Sequence, residues 1–147
     1  MMKKNILVFL LLLSYFSVFS QSTNSKWSDL FSYNNVLAFK EKDGKIIAAT
    51  ENGVFYYNTI SGEITKLSKA NGLHEVKISA FDYDAATNTA IIGYKSGNLD
   101  VVTADGVTYV VDIPLSQSYT GSKTINNISI NGDKAVISVG YGVSIFN

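Results

Sequence analysis

The side chains here that could do chemistry are few, and they lie in short polar segments between apolar runs. His74, Glu75, Lys95, Tyr119 and Lys123 bring together an imidazole, a carboxylate, two ammonium groups and a phenol. Such a set can hydrogen-bond hydroxyls, pack a ring against a sugar or pair with a phosphate. That is a binding chemistry, and it carries function only where a rigid scaffold positions the loops. A glycosidase needs paired carboxylates flanking one bond. The loops offer Glu51 and Glu75, and nothing in their spacing makes them converge. Asp82 and Asp84 form an Asp-x-Asp, but the Ala85-Ala86-Thr87-Asn88-Thr89 that follows lacks the oxygen ligands and distal glutamate of a calcium loop. Turn capping is the expected role of that pair. Gly140-Tyr141-Gly142 lacks the third glycine and the following helix of a dinucleotide loop, so it reads as a hairpin turn.

Composition removes further classes. There is no cysteine, which excludes disulfides, thiol chemistry and cysteine–zinc sites. His74 is the single histidine, so no multi-histidine metal site can form within the chain. No catalytic residue, metal or cofactor is expected. The 12 cations are all lysine and balance 12 acids. A neutral domain without arginine is a poor candidate for nucleic-acid binding. Hydrophobic residues make up 46% of the 147-residue chain and charged residues only 16%, a core-forming composition.

Those loops must be held by other elements. Residues 1–20 read as a signal peptide: Lys3 and Lys4, an apolar run from Ile6 to Phe19, and cleavage before Gln21. The run is too short to span a bilayer, and no transmembrane segment is expected in the mature chain. The fold is expected over residues 21–147, exported to the periplasm or outer-membrane cell surface of a Gram-negative bacterium. That mature part repeats. Lys45–Gly53, Thr89–Gly97 and Lys134–Gly142 align, and the glycines Gly53, Gly97 and Gly142 recur at intervals of 44 and 45 residues. Each aligned segment follows another apolar run, at Val36–Phe39, Ile78–Tyr83 and Ile125–Ile130. The runs are rich in Val, Ile, Tyr, Phe and Thr, and the pairs Asp43-Gly44, Asn52-Gly53 and Ser61-Gly62 suit hairpin turns.

A four-stranded unit of this period is the size of a propeller blade. The expected fold is all-β: a partial β-propeller of about three four-stranded antiparallel blades, the third incomplete because the chain stops at Asn147 after its third strand. The sequence therefore reads as the N-terminal piece of a longer protein, poorly soluble when expressed alone. Ile47, Ile91 and Val136, with Ala48, Ile92 and Ile137 beside them, are expected to face neighbouring blades on both sides. The column Ala49, Gly93 and Ser138 is uniformly small, as crowding between blade faces requires. Pro114 falls late in the second unit's outer strand. Lys26–Tyr33 has the character of an outer strand without its own blade. Tyr56 and Tyr57 point to opposite sheet faces, and at least one packs between blades. The plain alternative is a β-sandwich of similar strand count.

The run Ala70-Asn71-Gly72-Leu73, Ile78–Asp84 and Ile91–Gly97 resembles the two-component-regulator propeller repeat, with Ile91 in place of that repeat's tryptophan and Tyr94 in place of its threonine. Trp27–Tyr33, Tyr56-Tyr57-Asn58, and the run from Asn126-Asn127-Ile128 through Asn131-Gly132-Asp133 to Gly140-Tyr141-Gly142 are more similar to PorZ-like N-terminal propellers of the type nine secretion system. The resemblance covers nearly the whole mature chain. It implies a non-enzymatic binding and assembly component, part of a protein with two propellers and a C-terminal β-sandwich export signal. The implied partners are a sortase and its shuttle partner, and the implied ligand is anionic lipopolysaccharide delivered to that sortase. Two other readings remain: a periplasmic sensor propeller of a hybrid histidine kinase, and a propeller polysaccharide lyase or glycosidase.

Overall fold

The computed structural model describes residues 30–147; the expected signal peptide and residues 21–29 lie outside the described residues. The described chain forms three antiparallel sheets in succession. The first runs β1 (Val36–Lys42), β2 (Lys45–Thr50), β3 (Gly53–Asn58) and β4 (Ile64–Ser68), paired in that order. The second runs β5 (Ile78–Asp84), β6 (Thr89–Tyr94), β7 (Leu99–Thr103) and β8 (Gly106–Val110), again in order. The third has β9 (Ile125–Asn131), β10 (Lys134–Val139) and β11 (Gly142–Phe146). Four-stranded meanders stacked side by side are propeller blades, and the two-layer sandwich alternative is excluded because there are three successive sheets, the middle one packed against both others.

The turns follow from local chemistry. Asp43 and Gly44 both have positive φ, 52° and 73°, the geometry of the tight hairpin turn that matches strand twist. An irregularity recurs in each blade where the first strand meets the second: between Val36 and Ala38, between Ile78 and Ala80, and opposite Ser138 and Val139. The repeat thus extends to a shared kink, as bulges do within families of related units.

Strand alternation sorts the apolar runs between two seams. Ile47, Ala49 and Val54 of the first blade pack with Ile78, Phe81, Ile92 and Tyr94 of the second. Ala80, Ile91 and Leu99 of the second pack with Ile125, Ile128, Ile137 and Val139 of the third. Adjacent residues of β6 therefore point to opposite seams, Ile92 to the first and Ile91 to the second, which explains its continuous apolar sequence. Tyr56 packs into the first seam. A Cβ on Gly93 would lie 2.6 Å from Ile125 Cγ2 and 3.0 Å from Ile128 Cδ1, so the second seam closes only over a residue without a side chain.

Two expectations need correction. Val136 shares its column with Ile47 and Ile91, which are 5% and 4% exposed, yet it is 44% exposed. It points away from the second seam, and among the described residues no sheet covers that side. Pro114 lies not in a strand but in a single helical turn, α1 (Asp112–Leu115), after β8. There it is a first-turn residue, whose N–H has no helical partner in any case. Of the unpartnered segment Lys26–Tyr33, residues 26–29 lie outside the described residues, and residues 30–35 form no strand. A strand needs a ladder, and no sheet edge among the described residues pairs with them. Tyr33 instead lies edge-on to Phe55, ring centroids 6.5 Å apart, under the Lys66 ammonium at 4.4 Å.

Candidate binding face

The loops entering the second and third blades lie at the same end of the sheets as the β2–β3, β6–β7 and β10–β11 turns. The loop after β4 is fixed by its own sequence. Asn71 Oδ1 accepts from Ser68 N at 2.7 Å, its Nδ2 donates to Lys66 O at 2.8 Å, and Leu73 is buried in the first seam. That anchoring delivers His74 and Glu75 to the second blade.

His74 is gripped twice by Asp100: its backbone N–H donates to Oδ2 at 2.8 Å, and its ring Nδ1 lies 2.7 Å from Oδ1. Asp100 is wholly buried, and Tyr94 donates its hydroxyl to Oδ2 as well. A buried carboxylate is tolerable only with such partners. Burial first, then the hydrogen bond to Asp100, raise the Tyr94 phenol far above its ordinary value, so it remains a donor. With Nδ1 committed to Asp100, the His74 side chain is still 42% exposed. Its flat face stacks on Tyr109 at 4.6 Å and 14°. Tyr109 stands there because it is directly opposite Asp100 in the β7–β8 ladder.

Glu75 completes this cluster. It accepts from Ser96 Oγ at 2.7 Å, from Asn98 Nδ2 and from the Tyr109 hydroxyl. Burial works against its charge, but the bonds from Asn98, Tyr109 and Ser96 outweigh it and hold the carboxyl below the usual range. Tyr109 is pushed up to about 12, by desolvation first and then by its bond to Glu75.

Lys95 stands at the first seam and pairs with Glu51 at 2.6 Å. That bond lowers the Glu51 pKa. Both Glu51 and Glu75 are therefore held as carboxylates. A glycosidase pair needs one member raised so that it can give a proton, and this pair does not supply it. Thr124 Oγ1 donates to Lys95 O at 3.0 Å, tying the second seam to the same turn.

Tyr119 and Lys123 form a separate cluster around Tyr141. The two tyrosines stack at 4.5 Å and 3°, and Lys123 Nζ lies 5.4 Å from the Tyr141 ring centre while donating to Ser116 O at 2.7 Å. The five residues singled out in the sequence thus occupy one face but two clusters, with Lys95 at the seam beside the first.

Sequence reasoning missed Asp100, Tyr94, Tyr109 and Asn98, which make the first cluster. One signal was present: Asp100 is a lone acid in the apolar strand run Leu99–Val102. Sequence also treated Asp82 and Asp84 as one turn motif. Asp84 does cap its turn, accepting from Ala86 N at 3.0 Å and Thr87 Oγ1 at 2.7 Å. Asp82 instead is buried between blades, 2.9 Å from Lys40 Nζ of the first and 2.7 Å from Ile130 N of the third. Among the described residues no three His, Asp or Glu side chains could together hold a metal ion, and no helix is long and apolar enough to cross a membrane.

A family profile for the N-terminal β-propeller domain of PorZ, of the type nine secretion system, matches residues 46–147. No curated protein matches. Among solved structures, the chain is similar to PorZ of Porphyromonas gingivalis, a bacterial surface component of the type-IX secretion system. The identity is 24% and the TM-score 0.70, over 82% of this chain and 16% of that one. It is also similar to the extracellular domain assigned to a hybrid two component system of B. thetaiotaomicron, at 20% identity and TM-score 0.57, over 83% of this chain and 16% of that one. The C-terminal WD40 domain of Sif2 is similar at 13% identity and TM-score 0.54, over 75% of this chain and 33% of that one. This chain spans about one sixth of the length of the first two. At these identities the likeness is one of fold, the propeller blade.

Proposed function

The chain belongs to the family of PorZ N-terminal β-propeller domains, and from that premise we propose that it is a non-enzymatic binding and assembly element of a type nine secretion machinery, exported through a signal peptide over residues 1–20 to the cell surface or periplasm. The family match over residues 46–147 carries this reading. The partners it implies are the sortase and its shuttle partner, with anionic lipopolysaccharide as the ligand whose delivery it assists. What supports a binding role is the face itself: His74 and Tyr109 on one cluster and Tyr119 on the other are rigidly held, yet exposed. Such preorganised, partly exposed aromatic groups suit recognition. The test is co-purification of the intact protein from outer membranes with the sortase, together with the secretion phenotype of a deletion strain. Retention of the sortase and loss of secretion on deletion are expected. Normal secretion and no sortase would end this reading.

A second reading is a periplasmic sensor propeller, favoured by the likeness to the extracellular domain assigned to a hybrid two component system. It predicts that deletion changes transcription of a target operon and leaves secretion unaffected. A propeller lyase or glycosidase is disfavoured by the two ionised glutamates, Glu51 and Glu75.

A further inference from the structure

At the end of the blades opposite His74, a cleft of about 280 Å³ opens between the first and second sheets. Lys42, Asp43, Lys45, Tyr56, Tyr83 and Asn88 contribute to its wall. The first two blades are already tied across this seam by Lys40 with Asp82 and by Lys95 with Glu51. Lys42 and Lys45 take no part in that: among the described residues neither has a carboxylate within ion-pair distance. Asp84 is near enough to feel the Lys42 charge, but its oxygens already accept from Ala86 N, Thr87 N and Thr87 Oγ1.

The hydrogen-bonding capacity left over in this cleft is mostly donors. Tyr83 gives its hydroxyl to Asn88 Oδ1 at 2.9 Å, so the Asn88 amide nitrogen remains to donate. The Tyr56 hydroxyl has no partner among the described residues, and burial of the ring raises its pKa, which keeps the proton on. Lys42 and Lys45 add ammonium groups, and Asp43 is the opposing carboxylate in the wall. Lys45 and Tyr56 also line a second cleft of about 300 Å³ with Tyr57, Asn58, Glu63 and Thr65, so this pair forms a rib between two hollows, and the second hollow carries its own carboxylate. Lys42 and Lys45 are exposed and Tyr56 is half-buried, so these donors are open to a ligand entering from solvent, and such a set around two unpaired cations fits a compact acceptor-rich anion.

We propose that this cleft is a binding site for a carboxylate- or phosphate-bearing group, held by Lys42, Lys45 and the Tyr56 hydroxyl. The site lies at the opposite end of the blades from the His74 face and does not depend on the secretion reading. The experiment is amide NMR of the full chain titrated at constant ionic strength with glucuronate, glucose 1-phosphate and, as neutral control, glucose. Saturable shifts at residues 42–45, 56 and 83–88 with either anion, and none with glucose, are expected; which anion binds tells carboxylate from phosphate. Lys45→Gln should weaken the binding about tenfold and Tyr56→Phe about threefold to tenfold, with spectra otherwise unchanged. Lys134→Gln, in the third blade's hairpin, should leave it unaltered. No saturation by either anion overturns the site. So does equal binding of glucose, or an effect of Lys134→Gln as large as that of Lys45→Gln.

Discussion

The second and third blades are built on one pattern and experience opposite surroundings. In the second, Ile91 and Ile92 are 4% and 0% exposed because a sheet lies on each side. In the third, Ile137 faces the shared seam and is 1% exposed, while its neighbour Val136 is 44% exposed, with Val143 and Ile145 beside it at 66% each. The first blade mirrors this, with Phe39 at 64% and Ile64 at 58% on its outward face. Burial here is a property of position in the row, not of residue type. An apolar residue in a blade records that a neighbouring sheet is expected, and contributes stability only once that sheet is present.

The sharpest way to break this comparison is to truncate the same column in both blades. Ile91→Ala should cost about 4 kcal/mol, the range for a fully buried branched side chain, and Val136→Ala about 1 kcal/mol or less. Denaturant unfolding of the two variants measures the gap; equal costs would mean that the outward face of the third blade is covered after all.

A second test adds volume instead of removing it. Gly93→Val places methyl groups where Ile125 and Ile128 already stand, and should cost about 3 kcal/mol. Ser138→Val, at the equivalent outward position of β10, should change stability by no more than about 0.5 kcal/mol. The same measurements apply, and a large penalty at Ser138 would contradict the open face.

Asp82 sharpens the contrast between the seams themselves. Asp82→Ala removes the acceptor of the Ile130 N–H in the third blade and leaves the half-exposed Lys40 ammonium of the first to water, a loss of about 2 kcal/mol. Lys40→Met takes the cation from the buried Asp82 carboxylate, which keeps its bond from Ile130 N, and should cost about 1 kcal/mol. Hydrogen exchange at the Ile130 amide should accelerate in the Asp82 variant and stay near wild type in the Lys40 variant.

The smallest effect is in pH. The folded Tyr109 holds its proton up to about 12, against an ordinary value of 10.0. Its network therefore contributes fully below pH 10 and loses that contribution as the pH rises through about 12. Glu75 has the opposite sign: its contribution is present above the usual glutamate range and fades on acidification through its lowered pKa. Alkaline absorbance titration against Tyr109→Phe reads the first. A Tyr109 that titrates at its ordinary value would mean that the Glu75 cluster does not form.

The amino-acid sequence by itself determined the local and repeated features of this protein. Glycine-bearing turns such as Asp43-Gly44, strand runs such as Lys45–Thr50 and the recurrence of Gly53, Gly97 and Gly142 are short-range patterns, set by backbone sterics and side-chain alternation. They were enough to specify stacked four-stranded blades and to place His74, Glu75, Lys95, Tyr119 and Lys123 on one face. The tertiary structure alone decided which of those residues meet. Asp100 reaches His74 from 26 positions away and Asp82 reaches Ile130 from 48, and no sequence period encodes such pairings. They arise because packing brings distant strands to one seam, where a buried carboxylate must be matched by whichever donors the neighbouring blade presents. The same reason separates Ile91 from Val136: identical patterning, different neighbours.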